Sequence, residues 1–279
     1  MKSRFSKEPS KWALQDEEIG TLYWAEQWIS LKGITVPTGN VTSDNKSDTW
    51  TMYDYGHGQY KIVYTKKGSS ARLRKESKVK QKTDEAKRFL NSVSRARSTI
   101  FEIATCNNFE HFCTFTLDEQ KRDRFNLEAF RKDFTQFIRD INKKRPENEK
   151  IKYLLIPEQH GNGAWHLHGL LMNLTDEELR PNEHGYLDWI GYRERFGFFS
   201  VSPINDTVAC AKYITKYITK DYDDSSLTAN KHLFFASKGL KRKECIVKNC
   251  AEKCPINVGN DWDFENEYIK VKWLDMSKK

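Results

Sequence analysis

Long apolar runs are missing from the 279-residue chain. None approaches the roughly 18 residues that a membrane-spanning helix requires. The first ten residues also lack the apolar centre of a secretory signal. With a mean hydropathy of -0.79, the chain is expected to be soluble and intracellular, with no membrane partner. Cysteine is sparse. The six present are Cys106, Cys113, Cys210, Cys245, Cys250 and Cys254, and in a chain of this length without a signal they argue against a disulfide framework. Cys113 and Cys210 sit among apolar neighbours and read as small core residues. Cys245, Cys250 and Cys254 lie close together, but without the CxxC spacing of a zinc knuckle, and reduced thiols are the simpler reading beside a zinc site completed by Cys210 or His232. HExxH is absent, and no histidine begins an H-x-E, so the sequence lacks the signatures of zinc peptidases and zinc deaminases.

Acidic residues are also scarce, in one place above all. Between residues 66 and 97, twelve Lys and Arg face three acids (Glu76, Asp84 and Glu85), a surplus of nine. The whole chain carries +8, so the remainder is close to neutral. Such a block points to a polyanionic partner along that segment. A helix is expected over 69–98, with Phe89, Leu90 and Val93 as an apolar strip, either solvated or in contact with DNA.

Before that block, a short strand pair is expected between Trp50 and Tyr64, turning at Gly56 and Gly58. After it the pattern becomes regular. Residues 111–117 (HFCTFTL) alternate as a half-buried strand does. Leu127, Phe130, Phe134, Phe137, Ile138 and Ile141 recur at helical spacing across 126–144. Strands follow at 151–157 and 166–173, joined by a glycine-bearing loop, and another at 198–201. A helix over 206–220 begins at Asp206. This order predicts an α+β fold, a central antiparallel sheet with helices packed on one face, preceded by a basic helical extension. Residues 1–98 are read as that extension and 99–279 as the main domain, with an edge strand at 262–273 packed on it.

His166 and His168, two apart on a strand, project from the same face. The preceding strand ends at Glu158, which the loop should bring alongside them, with His160 as a competitor for the same place. Two imidazoles and a carboxylate leave positions open for a phosphate oxygen and water, and suit Mn²⁺ or Mg²⁺ as a Lewis acid. Alone, the H-x-H pair is equally read as two ordinary sheet histidines.

The segment 211–220 reads AKYITKYITK. On an ideal helix Tyr213 and Tyr217 stand one above the other, with Lys216 and Lys220 in a row beside them and Ala211, Ile214 and Ile218 facing the sheet. A phenol is a weak nucleophile at neutral pH, and a nearby ammonium favours its anion or steadies charge on a phosphate. An amphipathic helix with a solvated lysine face is the plainer account. Together with the histidine pair and the carboxylate, however, the segment completes a set of electrophile activator, nucleophile and charge stabiliser.

In these residues the chain resembles the HUH endonucleases, which initiate rolling-circle replication, and most of all their phage gene II-like or ORF2-like replication-associated group. FCTFT at 112–116, EQHGNGAWHLHGLL at 158–171 and YITKYITK at 213–220 are similar to that family's motifs in order, and ASKGLKRKE at 236–244 is similar to a feature that follows the tyrosines. The resemblance spans about 90–270. It implies an HUH nuclease domain of ferredoxin/RRM-like type, Mn²⁺ or Mg²⁺ on His166, His168 and Glu158, and attack by Tyr213 or Tyr217 on single-stranded origin DNA, leaving a 5′-phosphotyrosine. It also implies a bacterial host cytoplasm and a host polymerase. With no GxxxxGK[ST] loop in the sequence, a separate helicase is expected. A relaxase or transposase of the same fold, or a non-catalytic DNA-binding regulator, are the alternatives.

Overall fold

The computed structural model describes residues 28–31, 34–37, 48–66, 85–182, 185–219, 233–249 and 261–276. In chain order they form β1 (Trp28–Leu31), β2 (Ile34–Pro37), β3 (Thr49–Asp54), β4 (Gln59–Thr65), α1 (Glu85–Cys106), β5 (His111–Thr116), α2 (Leu127–Asn142), β6 (Lys152–Gln159) and β7 (Trp165–Met172). There follow β8 (Leu179–Pro181), β9 (Leu187–Trp189), α3 (Ile190–Arg195), β10 (Phe199–Pro203) and α4 (Thr207–Ile214). The last strands are β11 (Phe235–Ala236), β12 (Glu244–Asn249), β13 (Phe264–Glu265) and β14 (Ile269–Asp275). The chain divides into two compact units, Met1–Lys82 with Lys243–Lys279, and Thr83–Arg242. The boundary read from the sequence, at 98/99, falls inside α1. Of the basic helix expected over 69–98, residues 69–84 lie outside the described residues, as do Lys220, Cys250 and Cys254. Among the described residues no helix is long and apolar enough to cross a membrane.

The first unit holds an antiparallel sheet of order β12-β3-β4-β14-β13. Its β3–β4 hairpin turns at Gly56, His57 and Gly58, with φ of 79°, 50° and 75°. Two glycines in that run make the left-handed backbone cheap. The alternation of β3 and β4 buries Trp50, Met52 and Ile62. The terminal segment is not an edge strand: β14 pairs with β4 on one side and β13 on the other, within this first sheet. Its period-two pattern announces a half-buried strand but carries no information about partners.

The second unit is built on an antiparallel sheet of order β10-β5-β7-β6-β11. The alternation of side chains sorts its residues between two cores. On one face Cys113, Phe115, Leu155, Leu167 and Leu171 meet Phe130, Phe134, Phe137 and Ile138 of α2, together with Trp189, Tyr192 and Phe196. On the other, Leu154, Ile156 and Leu170 meet Val93, Ala96, Ile100 and Ile103 of α1 and Ala211 and Ile214 of α4. The fold is α+β, as expected, but helices cover both faces rather than one. The run Tyr153–Leu154–Leu155–Ile156 in β6 is buried on both faces, and an unbroken apolar run is how such a strand reads.

Both helices that matter here start where the sequence places them. Asn126 caps α2 by accepting from the Ala129 N–H at 3.0 Å, and Asp206 caps α4 by accepting from the Ala209 N–H at 2.9 Å. Removing such a cap costs about 1 kcal/mol. Their ends differ. α4 stops at Ile214 instead of running to Lys220, and Tyr217–Thr219 form a separate 3₁₀ turn. The Thr215 hydroxyl donates to the Lys212 carbonyl at 2.7 Å, and the Lys216 N–H reaches the Tyr213 carbonyl at 3.0 Å. A threonine hydroxyl that competes for a helix carbonyl, in a run rich in β-branched residues, weakens further α-helical propagation.

Candidate active site

The α1/α4 face of the second sheet carries the residues singled out in the sequence. Register fixes who meets whom. Glu158 of β6 pairs with His166 of β7, and Ile156 with His168. On the opposite side of β7, Thr116 of β5 pairs with His166 and Thr114 with His168. One face of three strands therefore presents two imidazoles, a carboxylate and two hydroxyls.

Their contacts are specific. Nδ1 of His166 lies 2.9 Å from Thr116 Oγ1, and Nδ1 of His168 lies 3.2 Å from Thr114 Oγ1. Nε2 of His168 lies 2.5 Å from Glu158 Oε2. Glu158 and His168 are both buried. His160, the competitor at the end of β6, stacks its ring on His166 at 3.8 Å between centroids. Glu158 thus faces His168, and His160 faces His166. Burial pushes the His166 imidazole down to about 4, helped by His160 and His168 and opposed by Glu158. At neutral pH this ring is uncharged, the form that binds a cation.

Whether these residues suit a divalent cation is decided by their donor atoms. Among the described residues no three His, Cys, Asp or Glu side chains converge as a ready-made cage, and Glu158 is engaged with His168 directly. The chemistry nevertheless fits. Threonine hydroxyls occupy both Nδ1 atoms, so the Nε2 atoms are the ones that would ligate a cation. A hydroxyl donates or accepts, so Thr114 can serve His168 whether its Nε2 bears a proton for Glu158 or a lone pair for a cation. Supporting contacts to the second ring nitrogen are what orient histidine ligands. Sequence reasoning read HFCTFT as an alternating strand and FCTFT as a family-like motif, but gave its threonines no role beside the histidines.

The tyrosines meet this group despite the broken helix. The Tyr217 ring stacks on His168, with centroids 3.8 Å apart and planes 20° from parallel. The Tyr213 and Tyr217 hydroxyls are 2.8 Å apart. Phe112 of β5 lies beneath both, 5.6 Å from the Tyr213 ring and 6.2 Å from that of Tyr217. Tyr213 is 48% exposed. Burial pushes the Tyr217 phenol up, and the hydrogen bond with Tyr213 and the charge of Glu158 push the same way. Lys216 Nζ lies 5.8 Å from the Tyr213 ring centroid, beside the nucleophile candidates as the spacing predicts. The structure brings together Glu158, His166, His168, Tyr213, Tyr217 and Lys216.

Among the described residues no cysteine joins this cluster. Burial holds the Cys113 thiol well above its ordinary range and raises Cys210 to about 11, as core residues require. Cys245 is exposed.

Residues 110–222 match the family described as replication-associated protein, ORF2/gene II protein type. No curated protein matches the chain, and no solved structure does.

Proposed function

We propose, from the match of residues 110–222 to the ORF2/gene II family of replication-associated proteins, that the chain is a replication initiator that nicks and rejoins single-stranded origin DNA through a 5′-phosphotyrosine. The observation that carries this reading is the 3.8 Å stacking of Tyr217 on His168. It sets a phenol against the histidine–carboxylate group, with a second phenol 2.8 Å away. Glu158, His166 and His168 are the residues that would hold Mn²⁺ or Mg²⁺, which when bound polarises a phosphate oxygen and offsets its charge.

The residues themselves supply the rest. The phenol oxygen of Tyr213 or Tyr217 attacks the scissile phosphorus and loses its proton to solvent. The bond from phosphorus to the 3′ oxygen breaks, and that oxygen takes up a proton as it leaves. The strand's 5′ phosphate is now esterified to tyrosine. Rejoining is the reverse, in which a 3′ hydroxyl attacks the phosphotyrosine and the phenol departs. Energy is conserved in the ester, so no nucleotide is consumed. Lys216 and Lys220 steady charge on the phosphate. Two phenols allow one to open the origin and the other to open the regenerated junction. The basic 66–97 segment tracks the strand backbone, and a separate helicase and the host polymerase extend the product in a bacterial cytoplasm.

The test uses labelled single-stranded oligonucleotides tiled across the DNA flanking the gene, incubated with the protein and manganese. A covalent adduct is expected on Tyr213 or Tyr217, mapped by mass spectrometry, and it should be lost with EDTA. The Y213F/Y217F double variant should bind the same oligonucleotides without cutting them. Cutting that survives in the double variant overturns the mechanism, and a regulator without catalysis would bind but leave no adduct.

A further inference from the structure

The antiparallel register lays out the site face of the second sheet in rows. Thr116, His166 and Glu158 form one row across β5, β7 and β6. The pairing of β10 with β5, from Phe199 opposite Phe115 to Pro203 opposite His111, continues one residue beyond the strand. There the Thr116 N–H donates to the Phe198 carbonyl at 2.9 Å. Phe198 is therefore the fourth member of the row, opposite Thr116. Phe199 turns into the α2 core, with its ring 5.2 Å from that of Phe115. Alternation sends Phe198 to the other face, the one that holds the histidines.

Phe198 is 63% exposed, although it stands at a fixed point. Gly197 before it has φ 148°, and a Cβ there would sit 2.4 Å from the Asp118 N atom and 2.7 Å from the Thr116 carbonyl oxygen. The chain is thus clamped against β5 immediately before the ring. At about 4.8 Å between neighbouring strands, the row carries Phe198 roughly 10 Å from His166. Its neighbours along the site face of β10, Ser200 and Ser202, are small and exposed. Nothing polar in the row needs an aromatic ring at its outer end.

We propose that Phe198 is a stacking platform for one base of the single strand, next to the scissile phosphate. A phosphate at the histidine row leaves its flanking nucleotide to run outward over Thr116 toward the sheet edge, where the Phe198 ring meets the base's π-face. Stacking on an aromatic side chain is tolerant of sequence. Phe198 is a positioning residue, setting where the strand lies over the ligating groups rather than touching the reacting atoms. The proposal rests on the reading of the site as one that acts on single-stranded DNA.

The experiment uses the full chain and a fluorescein-labelled, mixed-sequence single-stranded 20-mer read by anisotropy. F198A should weaken binding on the order of ten-fold, the loss expected for one base–aromatic stack. F198L, which keeps an apolar side chain and the fold, should also weaken it, whereas F198W should restore it. In wild type, 5-iododeoxyuridine in the oligonucleotide should crosslink to Phe198 on irradiation. Where cutting is seen, the variants should raise KM with kcat little changed. Wild-type affinity in F198A and F198L, without a crosslink at Phe198, overturns the platform. The tyrosine adduct is scored in parallel. An adduct with unaltered F198A binding removes the platform and leaves the nuclease reading intact. Weakened F198A and F198L binding with no wild-type adduct removes the nuclease reading and keeps Phe198 as a base contact.

Discussion

Thr114 and Thr116 reach the Nδ1 atoms of His168 and His166 at 3.2 and 2.9 Å, and their hydroxyls are the residue-level feature most open to test. T114V and T116V keep the side-chain shape and remove the hydrogen bond. Each is expected to lower Mn²⁺ affinity by about ten-fold or more, measured by calorimetry, while thermal melting stays close to wild type. His111 offers a test by pH. Burial lowers its imidazole, against the opposing charges of Glu110 and Asp176, so as pH falls below 6.5 the unfolded chain takes up the proton first. The stability that depends on its neutral form is complete above that value and declines on acidification through the folded value. H111Q should therefore lose less stability than wild type between pH 7.5 and 5, read as urea midpoints. An equal loss in the two would contradict this assignment. At this scale the placing of the two imidazoles together was legible in the sequence, since period-two spacing alone puts His166 and His168 on one side of a strand. Their threonine partners were not, because the register of β5 on β7 is not written in either strand taken singly.

Elements explain the rest of what the sequence did and did not reveal. The strands at 111–116, 152–159 and 165–172 and the helix at 127–142 were readable because each carries its own periodicity. The end of α4 was not. AKYITKYITK has helical spacing throughout, but Thr215 turns its hydroxyl onto the Lys212 carbonyl, a local competition that a pattern of apolar positions does not register. The second layer of helices escaped for a different reason. α1 covers the face of β6 that the one-sided reading left to solvent, and the hints were the apolar stretch of β6 and the apolar position of Val93 on the helix itself. Gly197 makes a prediction of its own. With φ 148° and backbone atoms at 2.4 and 2.7 Å from a Cβ, G197A is expected to destabilise the fold by about 2 kcal/mol or more, seen as a lower melting temperature. A neutral effect would mean that the β5–β10 junction is looser than described.

For the molecule as a whole, charge and domain division carry the testable content. The family match, 110–222, falls inside the compact unit Thr83–Arg242, so that unit holds every described candidate catalytic and ligating residue. Most of the surplus of basic charge between 66 and 97 precedes it. We read the basic block ahead of this unit as the part that grips the strand backbone and the unit Thr83–Arg242 as the nuclease. Replacing Lys75, Lys78, Lys80 and Lys82 with Gln should then flatten the dependence of single-strand affinity on salt, by about 0.7 in log–log slope for each phosphate no longer neutralised. An unchanged slope would assign the basic block another task. The register of β5 on β7 and of β7 on β6 has a further consequence. Because neighbouring residues on a strand point opposite ways, a slip of β7 by a single position would turn both imidazoles toward the α2 core. The centre cannot be assembled by halves. It is inherited whole with the alignment of three strands, and a one-residue insertion just ahead of His166 in β7 would erase it even with every one of its side chains still in the gene.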